Sequence, residues 1–166
     1  TLLQTTPTKQ VDIGPFVFGT DGSGFEKLIL PKSATSNHVP DYFLKEGKPS
    51  DRLSMIGADI FTFTLKTVPK AFKALMTKAN LDIDDVDWFV FHQANAFMLR
   101  HLRDRCGIPS EKFVIDVEET GNTVSTSIPL ALSRMFDKAC LKAGQKVALI
   151  GFGVGYSWSG CLITWK

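Results

Sequence analysis

Asp87-Trp88-Phe89-Val90-Phe91-His92-Gln93-Ala94-Asn95 is the stretch on which the fold turns. Its first part is too apolar to face water on either side, so it predicts a strand over Val86–Phe91 that is buried on both faces. A polar cluster follows at once, and then an amphipathic helix predicted over Ala94–Cys106. Gly107 and Pro109 stop that helix. A two-sided buried strand feeding a helix is the repeating unit of a layered α/β protein.

Working outward, the same alternation recurs. Phe113-Val114-Ile115-Asp116-Val117 predicts another buried strand. A turn at Gly121-Asn122 leads to a helix from about Ser125 to Cys140. Lys146–Phe152 and Ser157–Trp165 predict two closing strands, joined by Gly153-Val154-Gly155. Upstream, Leu53, Ile56, Ile60, Phe63, Val68, Phe72, Leu75 and Met76 recur at three-to-five-residue steps, and Ser50-Asp51 is placed to start a helix running to about Ala79, with Pro69 as a kink. Val11–Thr20 is β-branched and aromatic, with Pro15 permitting only an edge or bulged strand. Asp21-Gly22-Ser23-Gly24 is a turn, Leu28-Ile29-Leu30 a short strand, and Pro31–Pro49 a polar, proline-punctuated loop that includes His38. The chain opens on Thr1-Leu2-Leu3-Gln4-Thr5-Thr6, which reads as the inside of a strand and points to a fragment. The expected architecture is α/β, with a mixed five-stranded sheet covered by helices.

Composition bounds the function. The 166 residues are 44% hydrophobic, 22% charged and 11% aromatic. A chain of that length buries roughly 70% of its unfolded surface. Mean hydropathy is +0.04, and no apolar run approaches the roughly 20 residues of a membrane-spanning helix. A net charge of +2 is too small for the broad basic field of a nucleic-acid binder. Cys106, Cys140 and Cys161 are scattered and odd in number, which predicts reduced thiols and a cytoplasmic setting. Asp116, Glu118 and Glu119 have no histidine or cysteine at ligand spacing, so no metal site is expected.

Three clusters fall at strand ends, where open α/β sheets gather ligands. They are His92-Gln93-Ala94-Asn95, Gly121-Asn122-Thr123 and Phe152-Gly153-Val154-Gly155. The third mimics a dinucleotide fingerprint, but a strand follows it where a helix is required. Each cluster has a plain structural alternative. His92 could be a structural strand-end histidine, Asn122 could fill a left-handed turn, and Asn95 could cap the helix that follows it. Arg100, Arg103 and Arg105 with His101 form a basic stretch, and Arg100 and Arg103 share one helix face. That face is either simply solvated or a surface for an acidic partner.

DWFVFHQAN, VEETGNTVSTSIPLAL and GFGVGYSWSG together, with DGSG and the LSMIGADIF helix start, resemble the C-terminal half of the 3-oxoacyl-acyl-carrier-protein synthase III family of thiolase-fold condensing enzymes. Thirty residues separate His92 from Asn122, as the family's motif order requires. The resemblance covers nearly all of the chain, and implies one domain over 1–166, half of a five-layered α-β-α-β-α core. It further implies a Cys-His-Asn site in which His92 and Asn122 are catalytic and the cysteine lies in an absent N-terminal half. None of Cys106, Cys140 and Cys161 fits the nucleophile's motif.

By the same resemblance, Phe152, Gly153, Val154 and Gly155 form the glycine-rich oxyanion loop, with Val154 standing where the family often has glycine. Asn95 lies near the pantetheine tunnel, and Arg100 and Arg103 are the best candidates for carrier docking, although Phe97 occupies the usual docking-arginine position. The implied reaction is decarboxylative condensation of an acyl-cysteine with malonyl-acyl-carrier-protein. It uses coenzyme A thioesters and the carrier's phosphopantetheine arm, needs no metal or redox cofactor, and belongs to a homodimer. Two rivals are an acyltransferase that forms no carbon–carbon bond and a non-catalytic half-domain that partners another chain. Alone, the chain is expected to be inactive.

Overall fold

The computed structural model describes residues 11–32 and 52–166. The expectations for Thr1–Thr6, for most of the Pro31–Pro49 loop with His38, and for the helix start at Ser50-Asp51 lie outside them. In chain order the elements are β1 (Val11–Thr20), β2 (Leu28–Ile29), β3 (Ser54–Met55), α1 (Gly57–Ala79), β4 (Trp88–Phe91), α2 (Ala96–Cys106), α3 (Val117–Thr120), α4 (Ser127–Asp137), β5 (Lys146–Gly153) and β6 (Ser157–Trp165).

The main sheet has the order β1-β6-β5-β4. β4 runs parallel to β5, whereas β6 is antiparallel to both β5 and β1. β2 and β3 form a separate two-residue ribbon. The register of β1 on β6 slips between Ile13 and Phe16, so Pro15 sits at a bulge on an edge strand, as its missing N–H demands.

Burial follows the strand's period of two. Phe89 and Phe91 pack with Phe72, Leu75 and Met76 of α1 and with Leu99 and Leu102 of α2. Val90 points the other way, to Ala131 and Met135 of α4. Phe89, Val90 and Phe91 have no exposed surface, and burying each contributes roughly 1.5–3 kcal/mol. α1 continues through Pro69 and ends at Asn80, which takes a left-handed φ of 53°. Asn95 caps α2 by accepting the Met98 N–H at 2.8 Å, and Gly107 closes it at φ 67°.

Among the described residues the expected five-stranded sheet is corrected to four strands. Phe113 makes one parallel bridge to Phe89, with the Val114 N–H donating to Phe89 O at 3.0 Å, and the ladder stops there. The cause is Gln93. In a parallel ladder the next rung would join Phe91 O to Asp116 N–H and use Val114 O as well. The Gln93 amide takes all three: its Nε2 donates to Phe91 O at 2.7 Å and to Val114 O at 3.2 Å, and its Oε1 accepts the Asp116 N–H at 2.7 Å. The chain then turns into α3 where the strand was expected to continue. Other boundaries shift as well. α1 begins at Gly57, β4 at Trp88 after a capping box at Asp82–Asp85, and α4 covers Ser127–Asp137.

Candidate functional site

The parallel register of Phe91 on Ile150 brings the C-terminal ends of β4 and β5 to one edge of the sheet. His92 leaves that edge with its N–H donating to Ile150 O at 2.8 Å. Two positions on along β5, Phe152 sets its ring edge-on to the imidazole, with centroids 5.3 Å apart at 78°. On another side, His92 Nδ1 lies 2.7 Å from Ser127 Oγ. The half-buried ring loses hydration that a charge would need, and this burial lowers its pKa from the ordinary 6.5. His92 is therefore held as a neutral imidazole near pH 7.

Asn122 sits in the loop that feeds α4. Gly121, at φ 66°, supplies the left-handed turn, so that structural role belongs to the glycine rather than to Asn122. The Asn122 Oδ1 accepts the Val124 N–H at 2.9 Å. This bond assigns the amide's orientation and leaves its NH2 edge as an exposed donor. Val124 takes φ 55°, a conformation a β-branched residue rarely tolerates. Two ties hold the loop. Ser127 anchors its far end to His92, and Arg134 of α4 pairs with Asp116 at 2.9 Å and with Glu119, fixing α3 to α4.

The glycine-rich segment divides in two. Phe152 and Gly153 complete β5, and Val154, Gly155 and Tyr156 turn into β6. Gly155 takes the positive φ of 132°, and Val154 does not share it. The valine therefore meets no backbone penalty, and its side chain is half exposed. The turn is clamped to the Asp21-Gly22-Ser23-Gly24 segment. Asp21 N–H donates to Tyr156 O at 2.8 Å, and Tyr156 N–H returns a bond to Asp21 O. The Tyr156 ring stacks on Phe63 at 4.1 Å. A Cβ on Gly24 would lie 2.3 Å from that ring, so only glycine fits beneath it.

The remaining candidates are less free than the sequence suggests. The Asn95 side-chain oxygen is committed to capping α2, although the residue is exposed. Arg100 pairs with Glu118 at 3.0 Å, and Arg103 with Asp104 at 2.7 Å. Beside them Phe97 is 62% exposed and packs against His101 with ring centroids 4.2 Å apart. Burial pushes the Cys106 thiol up to about 12 and raises that of Cys161. Neither is an activated thiolate, because a nucleophilic cysteine needs a lowered pKa.

Sequence reasoning missed Gln93 and Ser127 as site residues. Gln93 is 1% exposed and Ser127 3% exposed. A polar residue directly after a two-sided buried strand was the available signal for Gln93. Ser127 offered none short of the fold.

Together, the mixed sheet and strand-end site define a thiolase-like α/β half-domain, the fold of the solved 3-oxoacyl-acyl-carrier-protein synthase III structures it matches. One such crystal structure superposes with a TM-score of 0.81 at 41% identity, covering 98% of this chain and 50% of that one. The Burkholderia xenovorans synthase superposes at 0.82 with 37% identity, over 90% of this chain and 43% of the other. Residues 76–165 match the family described as 3-oxoacyl-[acyl-carrier-protein] synthase III C terminal, and the chain belongs to it.

Among curated relatives, the β-ketoacyl-[acyl-carrier-protein] synthase III of Clostridium acetobutylicum is 33% identical over 147 residues, 89% of this chain and 44% of that protein. The Synechocystis synthase is 35% identical over 150 residues, 90% of this chain and 46% of that protein. The chain thus spans about half the length of the curated relatives it matches.

Proposed function

We propose that this chain supplies the malonyl-thioester half of a decarboxylating condensing enzyme. His92 is the observation that carries this reading: a neutral imidazole walled by Phe152 and Ser127 at a strand end, with the Asn122 amide in the adjoining loop. Loss of carbon dioxide from a malonyl thioester leaves an electron pair that delocalises onto the thioester oxygen as an enolate. Two neutral N–H donors, imidazole and amide, stabilise that oxygen without giving up a proton, and one such donor can contribute ~3 kcal/mol. The enolate carbon then attacks an acyl-cysteine carbonyl, a carbon–carbon bond forms, and the thiolate leaves. The backbone of Phe152, Gly153, Val154 and Gly155 lines the place where the acyl oxygen would become negative. No step asks for a metal or a redox cofactor.

The thiol comes from a second half of the same enzyme: none of Cys106, Cys140 and Cys161 fits the nucleophile's motif, and burial raises the thiol pKa of Cys106 and Cys161. The substrates are coenzyme A thioesters and malonyl-acyl-carrier-protein, in a homodimeric cytoplasmic enzyme. Asn95, exposed at the start of α2, is the residue that would meet the pantetheine arm. The exposed Arg100 and the partly buried Arg103 lie on the α2 face that an acidic carrier would meet, and the surface ion pair of Arg100 is weak enough to exchange. The assembled two-half protein, given acyl-coenzyme A and malonyl-carrier, is expected to form a 3-oxoacyl thioester. Transfer of the acyl group to a hydroxyl or amine, without a new carbon–carbon bond, would replace this reading with the acyltransferase one.

A further inference from the structure

Ser127 is a buried hydroxyl with two neighbours. Its Oγ lies 2.7 Å from His92 Nδ1 and accepts the Gln93 backbone N–H at 3.2 Å. A backbone N–H can only donate, so it occupies one acceptor position of Oγ and leaves the hydroxyl's own proton to be placed. A helical serine commonly returns that proton to the carbonyl four residues back. Here that carbonyl, Thr123 O, already accepts from the Thr126 N–H at 3.2 Å and from Thr126 Oγ1 at 2.6 Å. Among the described residues, the acceptor left for Ser127 is His92 Nδ1.

We propose that Ser127 is a positioning residue that donates its O–H to His92 Nδ1 and thereby fixes the neutral ring as the Nε2–H tautomer. In the opposite tautomer Nδ1–H would donate to the second acceptor position of Oγ, and the buried hydroxyl proton would be left without an acceptor among the described residues. The Gln93 N–H fills one acceptor position of Oγ and leaves the hydroxyl proton to be given to the ring. With Nδ1 held against α4, the proton sits on the far nitrogen, where a donor to a developing enolate is required. That use rests on the malonyl-thioester reading above, whereas the tautomer itself does not.

The test reads the tautomer directly, with no substrate present, by two-bond 1H–15N correlation of the imidazole in the 15N-labelled chain, assigned with His92→Gln. The expected spectrum at neutral pH shows an unprotonated Nδ1 and a protonated Nε2 for His92. Ser127→Ala is expected to lose this single-tautomer signature and to populate Nδ1–H. Ser127→Thr, which keeps the hydroxyl, should retain it. Ser127→Cys, close in size but a weak donor, provides the same loss should the alanine variant not fold. An Nδ1–H tautomer in the unaltered chain, or unchanged tautomer populations in the alanine or cysteine variant, would overturn the proposal. Either result would leave the decarboxylation reading to its own test.

Discussion

The Gln93 amide receives the Asp116 N–H at 2.7 Å and holds Phe91 O and Val114 O with its own NH2. A side chain here completes the hydrogen bonding of a strand that the sheet never forms. Its position next to His92 couples the edge of the sheet to the site. Replacing Gln93 with leucine would leave the buried Phe91 O and the part-buried Val114 O and Asp116 N–H without the amide, at up to about 1–3 kcal/mol for an orphaned buried group. We expect Gln93→Leu to lower unfolding free energy by about 2–4 kcal/mol in urea titration. A loss below about 0.5 kcal/mol would mean that water replaces the amide without cost.

His92 ties stability to pH with a defined sign. Its folded pKa lies below the ordinary 6.5 of the unfolded chain because burial disfavours the charged ring. Between those two values the unfolded state binds more protons, so this residue costs stability as pH falls below 6.5 and costs nothing above it. Urea unfolding at about pH 7.5 and about pH 5.5 should show a larger acid loss in the unaltered chain than in His92→Gln. Equal losses in the two proteins would contradict a buried neutral imidazole.

Val124 stores strain beside Asn122. A β-branched residue at φ 55° pays roughly 1–2 kcal/mol over one that enters the left-handed region easily. Its side chain is 72% exposed, so little burial offsets the cost. Val124→Asn should raise the thermal midpoint by a few degrees, corresponding to about 1 kcal/mol, while Val124→Ile should leave it unchanged. A lowered midpoint in the asparagine variant would show that the valine side chain contributes packing of its own. Strain of this kind gathers at functional loops that must hold one shape.

Much of this was legible before the fold. The two-sided burial of β4 followed from four apolar residues in a row, the bulge of β1 from Pro15, and the end of α2 from Gly107. His92, Asn122 and the Phe152–Gly155 segment stood out because their motifs occur in order at family spacing. What escaped was long-range and carried by side chains. Hydrophobic periodicity marks 113–117 as a strand, but it cannot register that a glutamine amide has taken the next rung. Arg100 looks free until the fold brings Glu118 to it. Val154 stands where the family often has glycine, yet the positive φ falls on Gly155, and the valine with a positive φ is Val124. Ser127 is one of several polar residues in VSTS, and only the docking of α4 on the β4 edge singles it out.

In the proposed reading, His92 and Asn122 together stabilise the enolate formed when a malonyl thioester loses carbon dioxide. Carbon dioxide release from malonyl-carrier is measured for the full protein of the proposed reading, in which this chain is joined to a cysteine-bearing half, and compared among the unaltered form, His92→Ala and Asn122→Ala. Each substitution is expected to slow release by about 10²–10³-fold, while acyl transfer onto the cysteine persists. Release at the unaltered rate in either variant would contradict that reading.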